Sequence, residues 1–151
     1  RISEKMIDFS DEKVYTAVLD KARIAARLED CWPDVKAVLA RSFKMPPRSR
    51  LVISLPGLHS IRCYADVQQN ASPLDCTITS LDEYVEACRQ MFTGMKAAGA
   101  VAFKDQSVYE RTLAYENPTR AQAEEAFTVT RISTVAGSSL SSPLRASAWR
   151  G

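Results

Sequence analysis

Residues 80–104, SLDEYVEACRQMFTGMKAAGAVAFK, join a complete helix signal to a short strand signal. Ser80 and Glu83 form a capping box, in which each side chain accepts a hydrogen bond from the other residue's backbone N–H. Gly99 lies where the end of a helix requires left-handed backbone geometry. Residues 100–103 (AVAF) predict a buried strand that ends at Lys104. This order of helix, glycine, strand and polar residue predicts an α/β fold.

Weaker signals of the same kind precede this stretch. The predicted elements are helices at residues 11–26 and 34–43, and strands at 26–31 and 50–55. The second strand, RLVISL, is a continuous apolar run, which is typical of a parallel strand buried on both faces. Residues 59–67 match neither a helix nor a strand pattern, and residues 69–79 are predicted to form a loop.

The carboxyl-terminal pattern predicts a domain boundary. Thr119 and Gln122 form a second capping box, which starts a short helix to Phe127. Residues 128–151 are rich in serine, contain no acidic residue and show no long periodicity. We therefore expect a domain over residues 1–127 and an irregular tail over 128–151.

Charge and hydropathy limit the classes of partner. Among 151 residues, 20 are basic and 18 acidic, which gives a net charge of +2. This balance argues against a nucleic-acid partner. No apolar run approaches the ~20 residues of a membrane span. A loose basic group, Arg41, Lys44, Arg48 and Arg50, is predicted to be a solvated loop. These observations argue against nucleic-acid and membrane partners, and the small-molecule substrate that we expect comes from the family resemblance described below.

The four cysteines predict a reducing environment. They stand at positions 31, 63, 76 and 88 and form no Cys-x-x-Cys pair. Zinc-ribbon and thioredoxin-like chemistry are therefore unsupported. We expect free, buried thiols and a cytoplasmic location.

Two residues follow predicted strands closely enough to be site candidates. In a (β/α) barrel, catalytic groups gather at the carboxyl ends of the strands. Lys104 ends the strand over residues 100–103, where its ammonium can pair with an anion; alternatively, it simply points into solvent. His59, the single histidine, follows the strand over 50–55 and can transfer protons or have a structural role. Asp30 and Trp32 are further candidates to line the same pocket.

The segment SLDEYVEACRQMFTGMKAAGAVAFKDQSVYERTLAYENPTRAQAEEAF (80–127) resembles the amidohydrolase-related metal-dependent hydrolases. In that family a long helix leads into a strand of the form GAVAFK, followed by a Tyr-x-Arg-x-Leu loop and a capped helix rich in Glu and Ala. Upstream, RLEDCWP (27–33) and LVISLPGLHSIRCYADV (51–67) resemble earlier strands of the same barrel. The resemblance covers residues 11–127.

The resemblance implies about half of a (β/α) TIM-type barrel that binds a divalent metal, zinc or manganese. Such a metal activates a water molecule for hydrolysis. The implied roles are catalysis for His59, metal ligation through a carbamylated amine or substrate binding for Lys104, and contacts to an anionic substrate for Tyr109 and Arg111. The family's His-x-His pair and later histidines are missing. We therefore expect this chain to be a fragment that is inactive alone and self-associates through the incomplete barrel.

Two other hypotheses remain open. The chain can be a non-catalytic α/β interaction module that needs no metal. It can also be a small α/β hydrolase or transferase that uses His59, although the sequence shows no partner to orient that ring. Tyr109 and Arg111 can likewise belong to a loop that packs on its own side chains.

Overall fold

The computed structural model describes residues 11–54, 56–109 and 112–135. Within these ranges the chain forms a three-stranded sheet and five α-helices, so the predicted α/β class is confirmed. The elements are α1 (Glu12–Lys21), β1 (Arg27–Cys31), α2 (Val35–Leu39), β2 (Ser49–Ser54), α3 (Tyr64–Ala71), α4 (Leu81–Ala97), β3 (Ala102–Lys104) and α5 (Arg120–Val135). Short 3-10 turns cover Pro56–Leu58, Ser72–Leu74 and Ser107–Tyr109.

The sheet is parallel and its strands follow one another in chain order, β1-β2-β3. Asp30 pairs with Val52, which pairs with Ala102, and Ser54 pairs with Lys104. Paired residues point to the same face of a sheet, so alternate positions define two faces. The carboxyl ends of all three strands therefore meet at one edge of the sheet.

One face of the sheet is covered by helices. Leu51 and Ile53 of β2 pack against Val38 of α2 and against Met91 and Met95 of α4 in one buried cluster. On the same face, the hydroxyl of Tyr15 from α1 lies 3.4 Å from Ser49 Oγ. All three helices thus pack on one side of the sheet.

The opposite face carries Leu28, Asp30, Arg50 and Lys104, all of which are exposed. Leu28 keeps 70% of its surface accessible. We call this side the open face, because none of the described helices covers it. The prediction that β2 is buried on both faces is wrong, since Arg50 on the open face is exposed and Val52 is only partly buried.

A second apolar cluster joins the helices outside the sheet. It contains Val67 and Ala71 of α3, Tyr84 and Ala87 of α4, and Phe127 of α5. The rings of Tyr64 and Phe127 meet edge to face at 6.2 Å. This cluster anchors α3 and α5 to α4.

The helix α4 matches its prediction closely because its signals are local. Ser80 Oγ accepts a hydrogen bond from the N–H of Glu83, and the Glu83 carboxylate accepts one from the N–H of Ser80. Gly99 follows with a φ of 104°. The strand β3 starts at Ala102 rather than at residue 100, since Ala100 packs into the core instead.

Other predicted boundaries were less accurate. The helices α1 and α2 end at Lys21 and Leu39, earlier than expected, because Arg23 and Arg41 adopt a positive φ of 57°. The predicted loop over 69–79 is partly wrong, since α3 runs to Ala71. The helix α5 continues past Phe127 to Val135, and residues 136–151 of the predicted tail lie outside the described residues.

All four cysteines are free, as predicted. Cys31 and Cys88 are partly buried, but Cys63 and Cys76 are exposed, so the expected burial is wrong for the latter two. Within the described ranges, no helix is both long enough and apolar enough to cross a bilayer.

Candidate functional site

The carboxyl edge of the sheet carries polar side chains from each strand. Asp30 belongs to β1, Ser54 ends β2 and Lys104 ends β3. The loop after β3 adds Asp105, Gln106 and Ser107, and His59 lies just beyond the 3-10 turn that follows β2. These side chains form two hydrogen-bonded clusters.

The first, the Asp30 cluster, lies on the open face. Lys104 Nζ is 2.5 Å from Asp30 Oδ2, and the Ser54 hydroxyl donates to Asp30 Oδ1 at 2.6 Å. The amide of Gln106 donates to Ser54 Oγ at 3.2 Å and to Asp30 Oδ2 at 3.3 Å. Residues far apart in the chain thus converge on a single carboxylate.

The charges of this cluster stabilise each other. The hydrogen bond from Lys104, followed by that from Ser54, lowers the pKa of Asp30. The same contact raises the pKa of Lys104. Lys104 is therefore held as an ammonium, and both side chains remain partly accessible to solvent. Carbamylation requires the neutral amine, and the contact with Asp30 disfavours that form.

The second, the His59 cluster, surrounds Asp105. His59 Nε2 lies 3.0 Å from Asp105 Oδ1 and also contacts Ser107 Oγ. Asp105 Oδ1 accepts from the backbone N–H of Ser107 at 2.8 Å and from the Ser107 hydroxyl. The Tyr115 hydroxyl donates to the other carboxylate oxygen at 3.1 Å. No partner for His59 was evident from the sequence, and the fold supplies Asp105.

These contacts hold the Asp105 carboxyl group in its ionised form. The hydrogen bond from the Ser107 hydroxyl, then that from the Ser107 backbone, lowers the pKa of Asp105 to about 2; His59 and Tyr115 add smaller effects. Ser107 itself is only 1% exposed. The Asp105 carboxylate is thus fixed in place from the protein side and faces His59.

The site residues predicted from sequence differ in where they lie and in how exposed they are. His59 and Lys104 both lie at the carboxyl edge, as strand order requires. Tyr109 ends a 3-10 turn and is 84% exposed, and its phenol lies near enough to Lys104 to affect the pKa of that amine. Arg111 lies outside the described residues. Trp32 directly follows β1 and is largely exposed.

Sequence reasoning missed Ser54, Asp105, Gln106 and Ser107. A usable signal was present for two of them. In the segment Asp-Gln-Ser, an aspartate can accept a hydrogen bond from the backbone two residues later and so shape a turn. Placed directly after Lys104, this turn fixes Asp105 at the end of β3. Ser54 and Gln106 had no comparable local signal.

The residues of this edge do not by themselves fit a three-ligand metal centre. In the described ranges, no group of three or more His, Cys, Asp or Glu side chains is arranged to hold a metal ion. Zinc sites ordinarily take three or four such ligands. The carboxylates of Asp30 and Asp105 are already bonded to Lys104 and to Ser107 and Tyr115. We therefore derive no step through a metal.

A cavity of about 400 Å³ lies at the opposite, amino-terminal end of β2. Arg41, Phe43, Arg50 and Gly99 are among the residues that line it. None of these lining residues belongs to the Asp30 cluster or to the His59 cluster. The cavity and the carboxyl edge are therefore two separate candidate surfaces for a ligand.

Comparison of the chain with protein-family models, with curated proteins and with solved structures finds no match.

Proposed function

We propose that this chain is part of an amidohydrolase-related (β/α)-barrel hydrolase that binds a small polar or anionic substrate at the carboxyl edge. The observation that carries the proposal is the convergence of Lys104, His59, Asp30 and Asp105 at one edge of a parallel sheet. In (β/α) barrels this edge holds the active site.

The arrangement of the elements supports the barrel. In a (β/α) barrel the strands follow one another in chain order, and all helices lie on the outer side. The described strands have this order, and α1, α2 and α4 all pack on one face. The open face would then correspond to the interior of the barrel. The three described strands would be three of the eight strands that a full barrel needs.

The chemistry of the edge supports substrate binding. The Lys104 ammonium can bind a carboxylate or polarise a carbonyl oxygen while Asp30 holds it in position. His59 can accept or donate a proton, as general acid–base catalysis requires. Tyr109 and, by the resemblance, Arg111 would extend the site towards a larger anionic group.

The cofactor remains part of the proposal. The resemblance implies zinc or manganese, but the described residues do not form a complete ligand set. We therefore expect little metal to be retained when the purified chain is exposed to either ion and analysed for its elements. Stoichiometric, retained metal would contradict this expectation and show that the chain builds its own centre.

We also propose a cytoplasmic location, based on the free cysteines.

A second candidate function is a non-catalytic interaction module. The exposure of Leu28 on the open face favours it, because an apolar residue in the middle of an uncovered sheet face can contact a protein partner. On this hypothesis Lys104 and His59 need not bind small molecules. A binding experiment therefore separates the two functions.

The experiment maps the binding of acetate, a minimal carboxylate, by NMR titration of the full chain. The proposal expects the largest backbone amide shifts at Ser54, Asp105 and Gln106, around Lys104. Lys104→Met should weaken acetate binding roughly fivefold, because the variant lacks the ammonium that pairs with the carboxylate. Lys36→Met is the matched control, since Lys36 also pairs with an exposed aspartate, Asp75, away from this edge.

Either of two results would overturn the proposal. One is a set of acetate shifts centred on the cavity at the amino-terminal end, near Arg41 and Gly99. The other is an affinity for acetate that Lys104→Met and Lys36→Met change equally.

A further inference from the structure

The hydrogen bonds around Asp105 determine where the proton of His59 resides. An ionised carboxylate accepts hydrogen bonds and donates none. Asp105 Oδ1 and His59 Nε2 are 3.0 Å apart, so a hydrogen bond between them requires a proton on Nε2. The Ser107 hydroxyl is already directed at Asp105 Oδ1 as a donor, so its oxygen can only accept from Nε2.

The second ring nitrogen of His59 is left for other chemistry. In a neutral imidazole with its proton on Nε2, Nδ1 carries the free lone pair. Within the described part of the chain, Nδ1 has no hydrogen-bond partner, and the side chain of His59 keeps 28% of its surface accessible. Nδ1 is thus the ring nitrogen whose lone pair the described hydrogen bonds leave unused.

The same contacts exclude Ser107 as the nucleophile of a Ser-His-Asp triad. In a Ser-His-Asp triad, the serine and the aspartate bond opposite nitrogens of the ring. Here Ser107 and Asp105 both contact Nε2. Ser107 is also buried, so no substrate can reach its hydroxyl. Ser107 therefore serves to hold Asp105 and the ring in place.

We propose that Asp105 is a positioning residue that fixes His59 in the Nε2–H form and presents Nδ1 as the proton acceptor of the carboxyl-edge site. This inference rests on the proposed function for its catalytic part. When a water or substrate hydroxyl gives up its proton, both electrons of the O–H bond stay on oxygen and the proton moves to Nδ1. The imidazolium that forms is stabilised by the Asp105 carboxylate, which remains ionised.

The test uses the fact that His59 is the single histidine of the chain. Its two ring nitrogens can be observed without ambiguity by ¹⁵N NMR of the labelled 151-residue chain, at a pH where the ring is neutral. We expect the wild type to show a protonated Nε2 and an unprotonated Nδ1. The Nε2–H proton should exchange slowly with solvent. Asp105→Ala should speed this exchange about tenfold or more, as the loss of a hydrogen bond to a charged group predicts.

Asp75→Ala is the control variant, because Asp75 is exposed and pairs with Lys36 instead; it should leave the His59 spectrum unchanged. If Asp105→Ala does not fold, Asp105→Asn keeps an acceptor oxygen without the charge and should give a smaller acceleration. A wild-type spectrum with the proton on Nδ1 would overturn the inference. So would an exchange rate that neither Asp105 variant changes.

These outcomes are independent of acetate binding. A failure of the proposed function leaves the Nε2–H assignment intact, and the reverse also holds. The two experiments therefore report separately on the site and on the role of Asp105 within it.

Discussion

At the scale of single residues, Asp105 links the structure to acid stability. Its pKa is about 2 in the folded chain, below the ordinary value of 3.8. A carboxyl group whose pKa is lowered by folding contributes stability above its unfolded pKa, and this contribution is lost as the pH falls through the folded value. The relevant window for Asp105 thus runs from about pH 4 down to about pH 2.

We predict that Asp105→Asn makes acid destabilisation shallower across this window. The variant should be less stable than the wild type at pH 6. The difference should shrink by pH 3, because the Asp105 carboxyl of the unfolded chain, with its ordinary pKa of 3.8, takes up a proton there while that of the folded chain stays largely ionised. Urea unfolding of both proteins at the two pH values measures this. A difference in stability that is as large at pH 3 as at pH 6 would contradict the assignment of the low pKa to Asp105.

The sequence predicted the site only in part. Lys104 and His59 follow strand-like runs, so their place at the carboxyl edge could be inferred from strand order alone. The partner of Lys104 is 74 positions away in the chain, and that of His59 is 46 away. No local pattern specifies such contacts, because they depend on the register of parallel strands.

At the scale of elements, the amino-terminal cap of α4 is the clearest local determinant. Ser80 Oγ accepts a hydrogen bond from the N–H of Glu83 at 3.2 Å. The Glu83 carboxylate accepts hydrogen bonds from the N–H groups of Thr79 and Ser80. We predict that Ser80→Ala destabilises the protein by about 1 kcal/mol, the typical effect of losing a serine cap. Chemical denaturation measures the change.

Ser133→Ala is the matched control for the cap. The hydroxyl of Ser133 bonds the Val129 carbonyl within its own helix, so it caps no free N–H group. We expect its unfolding free energy to stay within about 0.5 kcal/mol of the wild type. Equal effects of the two substitutions would mean that the cap adds nothing specific to α4.

The helices differ in how well the sequence predicted them, and the reasons are physical. The signals of α4 are the local caps at Ser80 and Gly99, and the observed helix, Leu81–Ala97, lies between them. The apolar face of α3 is short, with Val67 and Ala71 as its buried positions. Its Tyr64 and Gln68 side chains bond the carbonyl of Ile78, which lies beyond its carboxyl end in the chain. In α5, Thr128 and Thr130 bond carbonyls one turn earlier, so the helix continues where its apolar periodicity has faded.

At the scale of the whole molecule, the described helices cover only one face of the sheet. The buried cluster around Ile53 accounts for the apolar positions of β2 that point towards the helices. The sequence of β2 suggested burial on both faces, but a second covering layer is not formed by the described residues. On the proposed account, the rest of a barrel would enclose the open face, and β1 and β3 would pair with further strands.

This account predicts self-association of the full chain through the open face. Uncovered apolar surface and free strand edges favour contact with a second copy. Leu28→Lys places a charge in the middle of the open face and should shift the protein towards monomer. Ile132→Lys is the control, because Ile132 on α5 is also well exposed, at 57%, but lies outside the sheet.

Sedimentation velocity across a range of protein concentrations tests most directly whether the three-stranded sheet is an incomplete part of a (β/α) barrel. The account predicts that the wild type and Ile132→Lys sediment as concentration-dependent oligomers, while Leu28→Lys sediments mainly as a monomer. A wild type that sediments as a single sharp monomer peak at every concentration, and that also melts cooperatively, would contradict the account and favour a self-contained α/β module.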